Sequence, residues 1–272
     1  MYLLIKEWKL YMSLRSTVIS VMIQAIRSTA TQVIRSFIEV ERLRPSFTGA
    51  DRYSHASEHK IANNLMYHLK KARPAYGWDI KTTQGSQCEH GADQTRKWII
   101  RPLDSLRNFA CGIPHFCMSI SLEHNKEIVA SVIYDPIRDE LFAVEKGSGA
   151  WMIGSNNVRL RCSAQRDIGS AMIGCAPHAL YSAIPSVKKI MEAYPFIRCY
   201  GSPILDMLYT ACGRFDLSII LTADRQIINS GSLFIRESAG TVVNDAGSHH
   251  SLSSDVQLVY IANGTILSGI QL

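Results

Sequence analysis

This chain has no long apolar run, no closely spaced cysteine pair and no block of like charge, and each absence removes a class of function. The opening MYLLIKEWKLY is apolar but is broken by Lys6, Glu7 and Lys9. A secretory signal needs about 7–15 uninterrupted apolar residues and a membrane helix about 20, so neither is expected here. Residues 1–12 read as a loose N-terminal extension, with a fresh helical pattern opening at Met12. The seven cysteines (88, 111, 117, 162, 175, 199 and 212) are odd in number and include no CxxC, which excludes a disulfide framework or a zinc finger. Cys117, Cys175 and Cys212 lie in apolar runs and read as reduced, buried thiols of a cytoplasmic protein. Lys and Arg (29) outnumber Asp and Glu (23), but they are scattered and give no direct nucleic-acid signal.

Familiar catalytic motifs are missing too. The sequence holds no GxxxxGK[ST], no GxGxxG after a strand, no GxSxG and no HExxH. His55 and His59 stand four apart and could clamp a metal, but they read as solvated side chains in the first turn of a helix. His249-His250 lies in a polar loop with no partner at ligand spacing.

What remains is 272 residues, 47% hydrophobic, enough for a full core in one large or two small domains. Apolar residues recur at helical spacing from Ser13 to Glu41, and a polar link through Pro45 and Gly49 leads to a second helix over 57–71. A polar loop over 82–97 precedes strands at 98–100, 117–122, 127–134 and 141–145. Helices are predicted over 186–194 and 204–212, a strand over 217–221, and a helix over 226–238 closed by Gly240. Strands 241–243 and 257–262 finish the pattern, an α/β chain with an α+β N-terminal half and a soft internal boundary near 158–165.

One segment sharpens the reading. Trp98-Ile-Ile-Arg-Pro-Leu-Asp-Ser-Leu-Arg-Asn-Phe109, followed by Gly112-Ile-Pro-His-Phe116, resembles the signature W-[IV]-[IV]-D-P-[LI]-D-G-T-x-N-F then G-x-P-x-[FY] of the inositol monophosphatase family. The resemblance continues through Val132-Ile-Tyr-Asp-Pro136, Glu145-Lys-Gly-Ser-Gly-Ala150, Leu205-Asp206, Gly213-Arg-Phe-Asp216 and Arg236-Glu-Ser-Ala-Gly240. It covers 13–272 and is nearest the bacterial extragenic-suppressor type. It implies a layered αβαβα sandwich, a homodimer, and Mg²⁺-dependent hydrolysis of inositol 1-phosphate to inositol and phosphate. In that chemistry hard carboxylate ligands hold Mg²⁺ ions that activate water and stabilise the leaving alkoxide.

Position by position, this chain departs from the pattern. The first signature Asp is Arg101, and the second survives as Asp104. The resemblance therefore leaves Asp104 and the carbonyl of Leu103 as metal contacts. Ser105, Leu106 and Arg107 fall on the phosphate cradle, and Gly201, Ser202 and Pro203 on the substrate-contacting loop. The upstream Glu-Glu pair falls on Lys81-Thr82, a helical Asp on Ser57, and the downstream Trp-Asp on Gln226-Ile227. An acidic substrate contact seven residues before that Asp falls on Ile220. A guanidinium about 4 Å from Mg²⁺ would cost roughly 8 kcal/mol at an effective dielectric near 20, more than one carboxylate offsets. Asp224, Glu89 and Asp93 are the acids available as substitutes.

The residues thus point to a pseudoenzyme on a phosphatase scaffold, with Mg²⁺ not bound at useful affinity. A metal-free phosphate or inositol-phosphate site built on Lys81, Arg101 and Arg107 is the alternative, against which Arg101 would simply pair with Asp104. A protein-interaction module and a weak Mg²⁺-dependent phosphomonoesterase complete the field.

Overall fold

The structure, a computed structural model, describes residues 16–176, 185–222, 224–244 and 257–270. Two long helices open it, α1 (Thr17–Leu43) and α2 (Phe47–Ala72). Ile19, Met22, Ile26, Val33, Phe37 and Val40 form the buried stripe of α1, as their spacing requires. The link between the helices is shorter than the sequence suggests, because α2 starts ten residues before Ser57, at Phe47. The Ser46 hydroxyl accepts from the Gly49 amide at 3.3 Å, so Gly49 sits in a capped first turn rather than in a loop. His249-His250 and Ser13 lie outside the described residues.

The next elements are β1 (Tyr76–Thr82), β2 (Gly85–Glu89), β3 (Asp93–Asp104), α3 (Leu106–Ala110), β4 (Cys117–His124), β5 (Glu127–Asp135), β6 (Glu140–Glu145), β7 (Gly149–Ile153) and β8 (Val158–Arg159). They form a sheet in the order β2-β1-β3-β4-β5-β6-β7-β8, antiparallel throughout except for the parallel β1–β3 pair. The predicted loop over 82–97 is therefore wrong. It holds the exposed edge strand β2 and the polar start of β3, whose backbone groups are satisfied by strand pairing despite a sequence without apolar alternation.

After a 3₁₀ turn at Ile168–Ser170 come β9 (Ile173–Cys175), α4 (Pro185–Ala193), β10 (Ile197–Arg198), α5 (Pro203–Ala211), β11 (Leu217–Thr222), α6 (Arg225–Glu237), β12 (Thr241–Asn244), β13 (Gln257–Ala262) and α7 (Gly264–Gly269). The second sheet runs β10-β9-β11-β13-β12. At the end of α6 the left-handed conformation falls on Ala239 (φ 66°), not Gly240. Gly240 is needed for space instead, since a Cβ there would lie 2.5 Å from the Cys162 sulfur.

Three apolar clusters define the layers. One joins α1 and α2 to the first sheet through Trp98, Ile100, Phe109 and Phe116. A second fills the space between the sheets, where α5 and α6 lie, with Leu205, Leu208, Ile228 and Phe234. The third packs Val187, Ile190 and Ile266 on the outer face of the second sheet. Helix, sheet, helix, sheet, helix is the αβαβα sandwich that the resemblance implied. All seven cysteines are free; Cys117 and Cys175 are buried, but Cys212 is only partly so. No described helix is long and apolar enough to cross a membrane.

Candidate functional site

The C-terminal end of β3 delivers Arg101 and Asp104 to the N-termini of α6 and α5, beside β1. Each helix start carries unpaired N–H groups and a positive dipole end, which draw negative charge. Both starts are taken by carboxylates of the chain itself.

Asp104 is 5% exposed and serves α5. Its Oδ2 accepts from the Ser202 hydroxyl at 2.7 Å and from the Ile204 amide at 3.1 Å. Ser202 is the N-cap, and its hydroxyl also accepts from the Leu205 amide at 3.4 Å. Pro203 occupies the first helical position, where its missing N–H costs nothing. Gly201 precedes them at φ 83°, a left-handed conformation that suits glycine, with Asn108 close behind it. Burial pushes the Asp104 carboxyl above its ordinary range, against the pull of Arg101 and these hydrogen bonds.

Asp224 serves α6. Its Oδ1 accepts from the Gln226 amide at 3.0 Å, while its own amide donates to Thr222 Oγ1 at 3.0 Å. Its Oδ2 is ion-paired with Arg101, and the Lys81 Nζ stands 3.9 Å from the same oxygen. The Arg101 and Asp224 side chains are only 13% and 16% exposed. The expected Arg101–Asp104 pair is thus replaced by Arg101–Asp224. A bulge in the β3–β4 register between Arg101 and Asp104 separates the two side chains, and Asp104 turns to the helix start that binds it. Nearby, Asp79 on β1 accepts from Gln226 Nε2 at 2.8 Å and from the Ser86 hydroxyl at 2.7 Å.

The remaining predicted positions disperse. Leu103 and Leu106 are buried in the cluster beneath α1 and α2, while Ile220 and Ile227 belong to the cluster between the sheets. Leu106, Ile220 and Ile227 are core residues. Ser105 caps the short α3 by accepting from the Asn108 amide at 3.3 Å, and Arg107 is exposed on that helix. Thr82 donates its hydroxyl to the Gly85 carbonyl at 3.1 Å and closes the β1–β2 turn. Of the substitute acids, Glu89 is exposed and paired with Lys70, and Asp93 binds Thr95 and Arg96, so neither is available.

Three acids carry no site role in the sequence reading. Ser57 is buried, and so is its neighbour Glu58, 1% exposed, which accepts from the Thr83 hydroxyl at 2.8 Å and from the Thr83 amide. Its position three residues before Ile61, on the Ile61-Leu65-Leu69 face, was the available signal. His55 Nδ1 and His59 Nε2 meet Thr83 Oγ1 at 3.1 Å and Gln84 Oε1 at 2.7 Å. These histidines lie inside α2 and hold the hairpin tip, and are not the solvated first-turn residues expected. Because the Thr83 hydroxyl donates to Glu58 and Gln84 Oε1 only accepts, both rings act as N–H donors. Asp79 is the second of these acids. The third, Asp206 on α5, is fully buried with neither carboxyl oxygen hydrogen-bonded, and burial with Asp104 nearby pushes it well above the usual carboxylate range.

Mg²⁺ does not fit this donor set. Asp104 is committed to α5, and Asp224 to a helix cap and to two cations, Arg101 and Lys81. Among the described residues no three His, Cys, Asp or Glu side chains come together to hold a metal ion.

Comparison with known proteins agrees with the layered fold. The model of the inositol monophosphatase family matches residues 14–269. An inositol-1-monophosphatase of Mesorhizobium japonicum is 34% identical over 260 residues, covering 94% of this chain and 92% of its own length. A protein of Xylella fastidiosa named Nus factor SuhB is 30% identical over 234 residues, covering 84% of this chain and 82% of its own. The crystal structure of the extragenic suppressor protein suhB from Bartonella henselae superposes with a TM-score of 0.78 at 29% identity, covering 94% of this chain and 97% of that one. The family model spans nearly the whole chain and the fold coincides, and this chain belongs to the inositol monophosphatase family.

Proposed function

We propose that this protein is a pseudoenzyme of its family, one that keeps the phosphatase scaffold and has given up Mg²⁺-dependent hydrolysis of inositol 1-phosphate. The observation that carries the reading is the Arg101–Asp224–Lys81 cluster. Phosphoester hydrolysis by divalent ions needs several uncommitted hard oxygen ligands around the metals, to activate water and stabilise the leaving oxygen. Here Asp224 is neutralised by two cations, and Asp104 is spent on a helix N-terminus. Burial of Leu106, Ile220 and Ile227 supports the same reading, since polar duties have been exchanged for packing. On this view the chain is a cytoplasmic homodimer with no membrane role, and its ligand is an anion such as phosphate or inositol phosphate.

Calorimetric titration with Mg²⁺ tests the reading, with the Mesorhizobium relative alongside. The expected result is no saturable heat for this protein where the relative binds. Saturable Mg²⁺ binding that is lost on replacing Asp104 would refute it.

A further inference from the structure

We propose that Lys81 and Arg101 form an anion site that the chain itself plugs with Asp224, and that the external ligand of this site is the oxyanion of inorganic phosphate or a phosphate monoester. The inference rests on the metal-free reading above and adds to it a specific occupant and a means of control.

Three positive groups face the Asp224 carboxylate: the Arg101 guanidinium, the Gln226 amide at the start of the 13-residue α6, and, at the ion-pair distance of 3.9 Å, the Lys81 ammonium. Guanidinium, ammonium and helix N–H together are the donor set with which proteins hold phosphate. Asp104 has no such set, since only a hydroxyl and an amide reach it. The difference marks Asp224 as lying in an anion's place, beyond the ordinary capping of a helix.

The charge count points the same way. Counting only groups within ion-pair or hydrogen-bond distance of this cluster and its flanking Gln226, Lys81 and Arg101 contribute +2 and Asp224 and Asp79 −2, while Asp104 acts on Arg101 only at longer range and is held by the start of α5. With Asp224 in place the four groups cancel. Without its charge they carry +1, the sign an oxyanion requires. Access is available on the Lys81 side, where that side chain is 37% exposed. An entering oxyanion has to displace Asp224, so ligand binding is linked to uncapping of α6. The native protein therefore binds phosphate weakly, and what releases Asp224 sets its affinity.

The test is calorimetric titration with inorganic phosphate, in EDTA and at low ionic strength, of the native protein and of Asp224→Ser. Serine keeps the α6 cap and removes the carboxylate. Charged-group hydrogen bonds of about 1.5–3 kcal/mol predict phosphate binding about tenfold or more tighter in Asp224→Ser than in the native protein. The gain should vanish in Arg101→Gln/Asp224→Ser. Asp224→Asn gives the same comparison with native side-chain size if the serine variant does not fold. Equal binding in native and Asp224-substituted proteins, or a gain that survives loss of Arg101, overturns the proposal. The two readings fail separately, because this binding is measured without Mg²⁺ and the pseudoenzyme reading fails only if Mg²⁺ is bound or used.

Discussion

Replacing Asp224 removes the single acid on which two cations and a helix start depend. The Arg101 and Asp224 side chains are 13% and 16% exposed, so either charge left alone is poorly solvated. Breaking a buried ion pair from one side costs about 3–5 kcal/mol. Residual exposure and the second cation, Lys81, place this case near the lower end, about 3 kcal/mol. Asp224→Ala also deletes the α6 cap, worth about 1 kcal/mol, for a total of about 4 kcal/mol. Asp224→Asn keeps the cap and should cost about 3 kcal/mol. Arg101→Met/Asp224→Asn removes the stranded charge and should recover most of the loss, because a buried pair exchanged for neutral side chains is often close to neutral. Urea denaturation read by tryptophan fluorescence measures these differences. In thermal unfolding, 4 kcal/mol corresponds to a fall in Tm of about 8–16 °C in a chain of this size. Losses under about 1 kcal/mol for both single variants, the behaviour of a surface pair, would refute the reasoning.

Other expectations follow from buried titratable groups. Asp206 is raised in the folded state, so the fold binds its proton more tightly than the unfolded chain does; stability then falls as pH rises from about 3.8 through the folded value. Asp206→Asn should accordingly be the more stable protein at pH 8, with the gap closing towards pH 4 in urea titrations; a constant gap would contradict this. His115, 6% exposed, is lowered to about 4 by burial and then by Arg138, so its contribution is complete above pH 6.5 and lost as pH falls through 4. About 2–3 kcal/mol of acid sensitivity should disappear in His115→Phe, as chemical denaturation at pH 7 and pH 4.5 would show. Glu58→Ala removes the acceptor of the Thr83 amide, and hydrogen exchange should show that amide losing protection while the amides of β3 and β4 keep theirs.

The fold was legible because its signals are local and ordered along the chain. Helical spacing in α1, the Ser-Ile-Ser-Leu alternation of β4, the β-branched run of β5 and the Trp98–Phe109 motif each need only neighbouring residues. The β1–β2 hairpin was missed because its strands are polar and exposed, and their pairing is set by tertiary contacts that no alternation announces. The sequence brought Lys81, Arg101 and Asp104 forward as candidates for one site. Their arrangement was not legible. Arg101 pairs with a residue 123 positions away rather than with Asp104, three residues on, because a register bulge and the start of α5 take Asp104 elsewhere. Asp79, Glu58 and Asp206 were given no site role for a related reason. Each matters through partners or burial supplied by distant elements, Gln226 for Asp79, Thr83 for Glu58 and the core between the sheets for Asp206.

The central claim is that the scaffold persists without its metal chemistry. Phosphate release from inositol 1-phosphate across a Mg²⁺ titration, with the Mesorhizobium enzyme as the positive control, tests it most directly. The account predicts no release above background at any Mg²⁺ concentration at which the relative turns over. Mg²⁺-dependent release that is abolished by replacing Asp104 or Asp224 would contradict it, and would mean that the ion pairs open to rebuild a metal site.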